Sequence, residues 1–60
     1  MLKVGDIIVN EKEGMWLQVK EVVENKVRLM RECGDTISEL YDPVLLLQFG
    51  WKKKEISHDV

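Results

Sequence analysis

Val4-Gly5-Asp6-Ile7-Ile8-Val9, Met15-Trp16-Leu17-Gln18-Val19-Lys20-Glu21-Val22-Val23 and Lys26-Val27-Arg28-Leu29-Met30-Arg31 are three apolar runs divided by turn-sized polar segments. Short runs rich in β-branched residues, bounded by Gly, Asn and Asp, form the pattern of a small antiparallel sheet. Gly5-Asp6 gives the first run a turn-like entrance, so a strand is expected over Asp6 to Val9, with Asn10 to Gly14 as its polar exit loop. Met15, Leu17 and Val19 alternate with Trp16, Gln18 and Lys20, so the second strand has one apolar face and one mixed face. The alternation breaks at Val22-Val23, where a bulge is expected to bend the sheet. Glu24-Asn25 is the length of a tight hairpin turn, with Asn25 suited to the left-handed backbone such turns require.

Outward from this core, Val27 and Leu29 alternate with Arg28 and Met30 in a third strand, and Glu32-Cys33-Gly34-Asp35 supplies the next turn. A short fourth strand is expected from Thr36 to Leu40. Asp42-Pro43 then interrupts regular pairing, because proline has no amide hydrogen and restricts the residue before it. A bend or one 3₁₀ turn fits Asp42 to Leu45. Leu45, Leu47, Phe49 and Trp51 alternate with Leu46, Gln48 and Gly50, which predicts a last strand from Leu46 to about Lys53. The alternative is a helix over Asp42 to Phe49, since leucine-rich segments favour helices and Asp-Pro makes a good helix entrance. Residues 1–54 then form one domain, and residues 55–60 a tail expected to fray. Five short strands in so few residues imply an all-β, closed or nearly closed barrel, because a small open sheet leaves edges and an apolar face uncovered.

Sixty residues, 45% of them apolar and 33% charged, make a globular chain whose small core excludes a deep substrate cavity. One cysteine, Cys33, and one histidine, His58, exclude an internal disulfide or a zinc site built from these residue types. No run approaches the roughly 20 apolar residues of a membrane span. The start Met1-Leu2-Lys3-Val4-Gly5-Asp6 does not read as a secretory leader, so a cytoplasmic protein is expected, with all sixty residues as its working length. The charge is unevenly placed: residues 1–50 carry six basic and nine acidic side chains, whereas 51–60 carry three lysines against Glu55 and Asp59.

The apolar-Gly-Asp-apolar-apolar start, the loop ending in Gly14, and the two apolar strands joined at Glu24-Asn25 resemble the opening of small SH3-like barrels. Such barrels include KOW-type modules and short bacterial and phage proteins. The resemblance covers residues 3–53 and implies a five-stranded SH3-like barrel. KOW modules carry further glycines and basic residues in the loop after the first strand, where this chain has Asn10-Glu11-Lys12-Glu13-Gly14.

Candidate functional residues are few. Trp16, Tyr41, Phe49 and Trp51 are all the aromatics; flat rings serve as platforms for peptides or bases, but a core this small also needs rings to close it, Tyr41 and Phe49 foremost. Trp16 stands opposite the apolar face of its strand, which makes it the more suggestive tryptophan. Lys52, Lys53 and Lys54 beside Trp51 form the only basic cluster, able to meet phosphates or an acidic partner, or simply to blunt a sheet edge. Arg28 projects from strand three, with Glu24 and Glu32 close in sequence. Acidic Glu32 and Asp35 near Cys33 disfavour a reactive thiolate, and His58 has no partner at short spacing. No pair of catalytic groups can be assembled, and no cofactor is implied. The expectation is therefore a non-enzymatic module that binds a protein partner through Trp16, Arg28, Trp51, Lys52 and Lys53, with the loop Asn10 to Gly14 beside the tryptophans. Pairing with a second copy through an outer residue such as Trp16, Met30 or Leu46 is compatible with it. The alternative is a nucleic-acid-binding accessory protein using Trp51 to Lys54 and the basic residues of strand three. The formal net charge of −2 weighs against it, because phosphate attraction dominates nucleic-acid affinity.

Overall fold

The computed structural model describes residues 2–54; the tail expected to fray, with His58, lies outside the described residues. Five strands form one antiparallel sheet: β1 (Ile7–Asn10), β2 (Met15–Val23), β3 (Lys26–Met30), β4 (Thr36–Tyr41) and β5 (Trp51–Lys53). A helix, α1 (Pro43–Gln48), lies between β4 and β5 in the chain. The sheet order is β4-β3-β2-β1-β5, so α1 carries the chain from one edge of the sheet to the other. The protein is all-β with this one helical insertion. No ladder joins β4 to β5 among the described residues, so the sheet is not the closed barrel the strand count implied. Leu46, from α1, instead joins the core with Ile8, Leu17, Val19, Val27 and Leu29, with Tyr41 and Trp51 packed against it.

Leu17, Val19, Val27 and Leu29 face inward as the alternation assigns, whereas Met15, expected on the same face, is exposed at the start of β2, and Ile8 is the inward residue of β1. Leu17 pairs with Ile8, Val19 with Leu29, and Val27 with Tyr41, each pair sharing the buried face. The bulge sits earlier than Val22-Val23: the β2–β3 register shifts between Val19 and Glu21. Placing the extra residue at Lys20 keeps the charged pair Lys20-Glu21 off the core and returns Val22 opposite Val27. In the hairpin it is Glu24, not Asn25, that takes the left-handed backbone, at φ 56°. A second shift, between Arg28 and Met30, makes four residues of β4 span two of β3.

Strand five begins at Trp51 rather than Leu46, because the segment before it is helical, as the alternative reading had it. Asp42 supplies the physical cause: its Oδ1 accepts the Val44 N–H at 2.9 Å, satisfying a helix-start donor, while Pro43 sits at the entrance where its missing N–H costs nothing. The helix stops at Gly50, whose φ of +96° a side chain would resist.

Candidate functional site

The five residues expected to bind a partner do not form one surface. Val9 is flanked across the ladders by Trp16 on β2 and Lys52 on β5, so those two side chains share the outer face. Trp51 and Lys53 pair with Asn10 and Ile8 and belong to the opposite face, where Trp51 packs against the core. Arg28 lies on the outer face of β3, where its Nε donates to Glu21 Oε1 at 2.8 Å and its Nη1 to the Ser38 carbonyl. That second bond satisfies a carbonyl freed by the β4 irregularity, which makes Arg28 a brace for the bulged edge.

The lysine cluster is similarly engaged. Lys52 Nζ stands 3.9 Å from Glu11 Oε1, and Lys53 Nζ 3.5 Å from Asp6 Oδ2. The Asp6 carboxyl also accepts the Lys3 backbone N–H at 2.7 Å, and this bond, followed by the Lys53 charge, holds it below the usual carboxylate range. Carboxylates thus offset two of the three lysines on which phosphate binding would rely.

Asn10, read as part of the exit loop, ends β1 and is 4% exposed, the one buried polar residue among those described. Its Nδ2 donates to the Phe49 carbonyl and its Oδ1 accepts the Glu13 N–H, each at 3.2 Å. This single amide ties the end of α1 to the β1–β2 loop, and Gly50 packs against it.

The helix so anchored presents the surface that the sequence reading missed. Leu46 is 7% exposed, whereas Val44, Leu45, Leu47 and Phe49 are 60%, 49%, 66% and 72% exposed. Phe49, expected in the core, is outside it because the chain reaches it at the helix end rather than along a strand. At 3.6 residues per turn, positions 44, 45, 47 and 49 cannot all share the inward side with 46. A mostly apolar cleft of about 150 Å³ opens beside the helix, lined by Leu2, Ile8, Pro43, Leu46, Leu47 and Trp51, with Lys53, one of the expected partner-binding residues, as its charged member. From Pro43 to Trp51 the chain carries no ionisable side chain. That gap in charge, in a chain one-third charged, is the sequence signal that marks the surface.

Among the described residues no group of three or more His, Cys, Asp or Glu is placed to hold a metal ion, and no helix is long and apolar enough to cross a membrane. Cys33 is exposed and unpaired with another cysteine. No family model, curated protein or solved structure matches the chain.

Proposed function

We propose that this protein is a small non-enzymatic binding module of SH3-like type, working in the cytoplasm, that engages a protein partner through α1 and the adjoining cleft. The observation that carries this reading is a helix apolar on every side but Gln48, of which only Leu46 is buried. Helices of that composition are normally enclosed, and large apolar patches on small proteins are where partners dock. The strand order, with the chain crossing from β4 to β5 through a short helix, is compatible with the resemblance to SH3-like barrels.

Placing a photo-crosslinking amino acid at position 47, and separately at the exposed Glu32 in the turn between β3 and β4, tests the reading in the native host. A polypeptide trapped from position 47 but not from position 32 is the expected result; equal trapping, or none, refutes it. The nucleic-acid alternative predicts binding to single- or double-stranded oligonucleotides that weakens steeply with salt. The pairing of Lys52 with Glu11 and Lys53 with Asp6 leads us to expect no such binding even at low salt.

A further inference from the structure

We infer that the protein partner is held by an extended acidic segment that adds to the free edge of β5, sinks one apolar side chain into the cleft beside α1 and sets a carboxylate against Lys53. This rests on the reading of α1 and its cleft as the docking surface. Backbone, volume and charge each select that chemistry.

Strand β5 ends the sheet order, with β1 on one side and no strand on the other among the described residues. The Lys54 N–H donates to the Ile7 carbonyl at 2.7 Å, continuing the β1–β5 register. Backbone groups of an antiparallel strand turn to alternate sides, so Lys52 and Lys54 direct theirs to β1, whereas the N–H and C=O of Trp51 and Lys53 turn to the open edge. The other side of β1 agrees: the Val19 N–H donates to the Asp6 carbonyl, so Asp6 and Ile8 turn toward β2 and leave Ile7 and Val9 to β5. Lys53 thus offers a donor and an acceptor to an added strand, on the border of the cleft that its side chain lines.

A cavity of roughly 150 Å³ holds a benzene ring, and the cleft has that volume. It therefore takes one side chain of leucine or phenylalanine size, between Leu47 of α1 and Trp51 of β5. Residues two apart on an added strand share a face, so one beside Trp51 and one beside Lys53 both turn toward the cleft. Lys53 is the only ionisable residue lining it. Its Nζ stands 3.5 Å from Asp6 Oδ2, an oxygen that already accepts the Lys3 N–H at 2.7 Å. An ammonium has three donors and this side chain is 46% exposed, so it can meet a second carboxylate. With Lys52 and Lys54 on either side, the edge repels a basic segment or a second β5 and favours an acidic strand.

Titration of the intact, isotope-labelled chain with peptides blocked at both ends, followed by NMR, tests the inference. The probe Ser-Asp-Thr-Leu-Thr-Asp-Ser carries a carboxylate two residues to either side of its leucine, so it serves a parallel or an antiparallel strand. A control peptide has lysine in place of both aspartates. With up to about 2 mM probe, the Lys53 amide should shift downfield as it gains a hydrogen bond, and more than those of Lys52 and Lys54, which face β1. The aspartate peptide should bind at least about fivefold more tightly than the lysine peptide at low salt. Lys53→Glu should reverse that preference, and Lys53→Met, which keeps an apolar stem without the charge, should abolish it. Lys20→Glu, on the exposed bulge of β2, should leave it unchanged. The dispersion of each variant's spectrum shows that it is folded. No shift at Lys53 with either peptide, equal affinity for the two, or a preference that Lys53→Glu leaves intact overturns the proposal. If it falls while position 47 still traps a polypeptide in the host, the docking role of α1 stands; if position 47 traps nothing, that reading falls as well.

Discussion

Replacing Asn10 with alanine probes the joint on which the helix surface depends. The substitution removes two hydrogen bonds, to the Phe49 carbonyl and from the Glu13 N–H, each 3.2 Å long. A bond of this kind contributes about 1 kcal/mol net, and a buried group left without a partner costs about 1 to 3 kcal/mol. The Glu13 amide is on an exposed residue where water can replace the side chain, so its loss falls at the low end. The sum is about 2 kcal/mol. A domain of this size is stable by roughly 3 to 9 kcal/mol, so the change is a large fraction of the whole. At roughly 4 to 8 °C per kcal/mol, the melting temperature should fall by about 10 °C. Thermal and urea unfolding followed by circular dichroism, at a concentration where the chain is monomeric, give the value directly. A destabilisation under about 0.5 kcal/mol would refute the reasoning, because it would mean that the Asn10 amide makes no net contribution to holding the end of α1.

Leu17→Ala and Val27→Ala each delete an inward side chain of the sheet and should cost on the order of 1 to 4 kcal/mol in urea unfolding; unchanged melting curves for both would contradict the assigned faces. Glu24→Gly should stabilise by about 0.5 to 1 kcal/mol, since glycine adopts the positive φ found there without the steric penalty a side chain incurs. The depressed Asp6 carboxyl contributes stability that is present above its unfolded pKa of about 3.9 and is lost as pH falls through the lower folded value. Asp6→Asn should therefore be less stable than wild type at neutral pH, and the gap should close below about pH 4; a gap independent of pH would disprove the assignment.

The sheet was legible because its signals are local. Alternation through Leu17, Val19, Val27 and Leu29 states which side faces inward, and a hairpin as short as Glu24-Asn25 leaves the third strand nowhere to pair but the second. The lysines after Trp51 were legible as a cluster but not as ion pairs, since Glu11 and Asp6 reach them only once β5 lies beside β1. The segment from Leu45 to Trp51 satisfied two periodicities at once, because a short leucine-rich run offers apolar residues to either. Local sequence supplied the helix start, at Asp42-Pro43, but not the preference for helix over strand.

By itself, then, the sequence determined the first four strands, the inward side of β2 and β3 and the charge-free window from Pro43 to Trp51, all consequences of residue type at fixed spacing. Only the tertiary structure decided that Asn10 is buried under the end of α1, that Trp51 and Lys53 face away from Trp16 and Lys52, and that Phe49 stands outside the core. Those outcomes depend on β1 pairing with β5 across some forty residues of chain, and such contacts are set by how the whole sheet packs rather than by any neighbour in sequence.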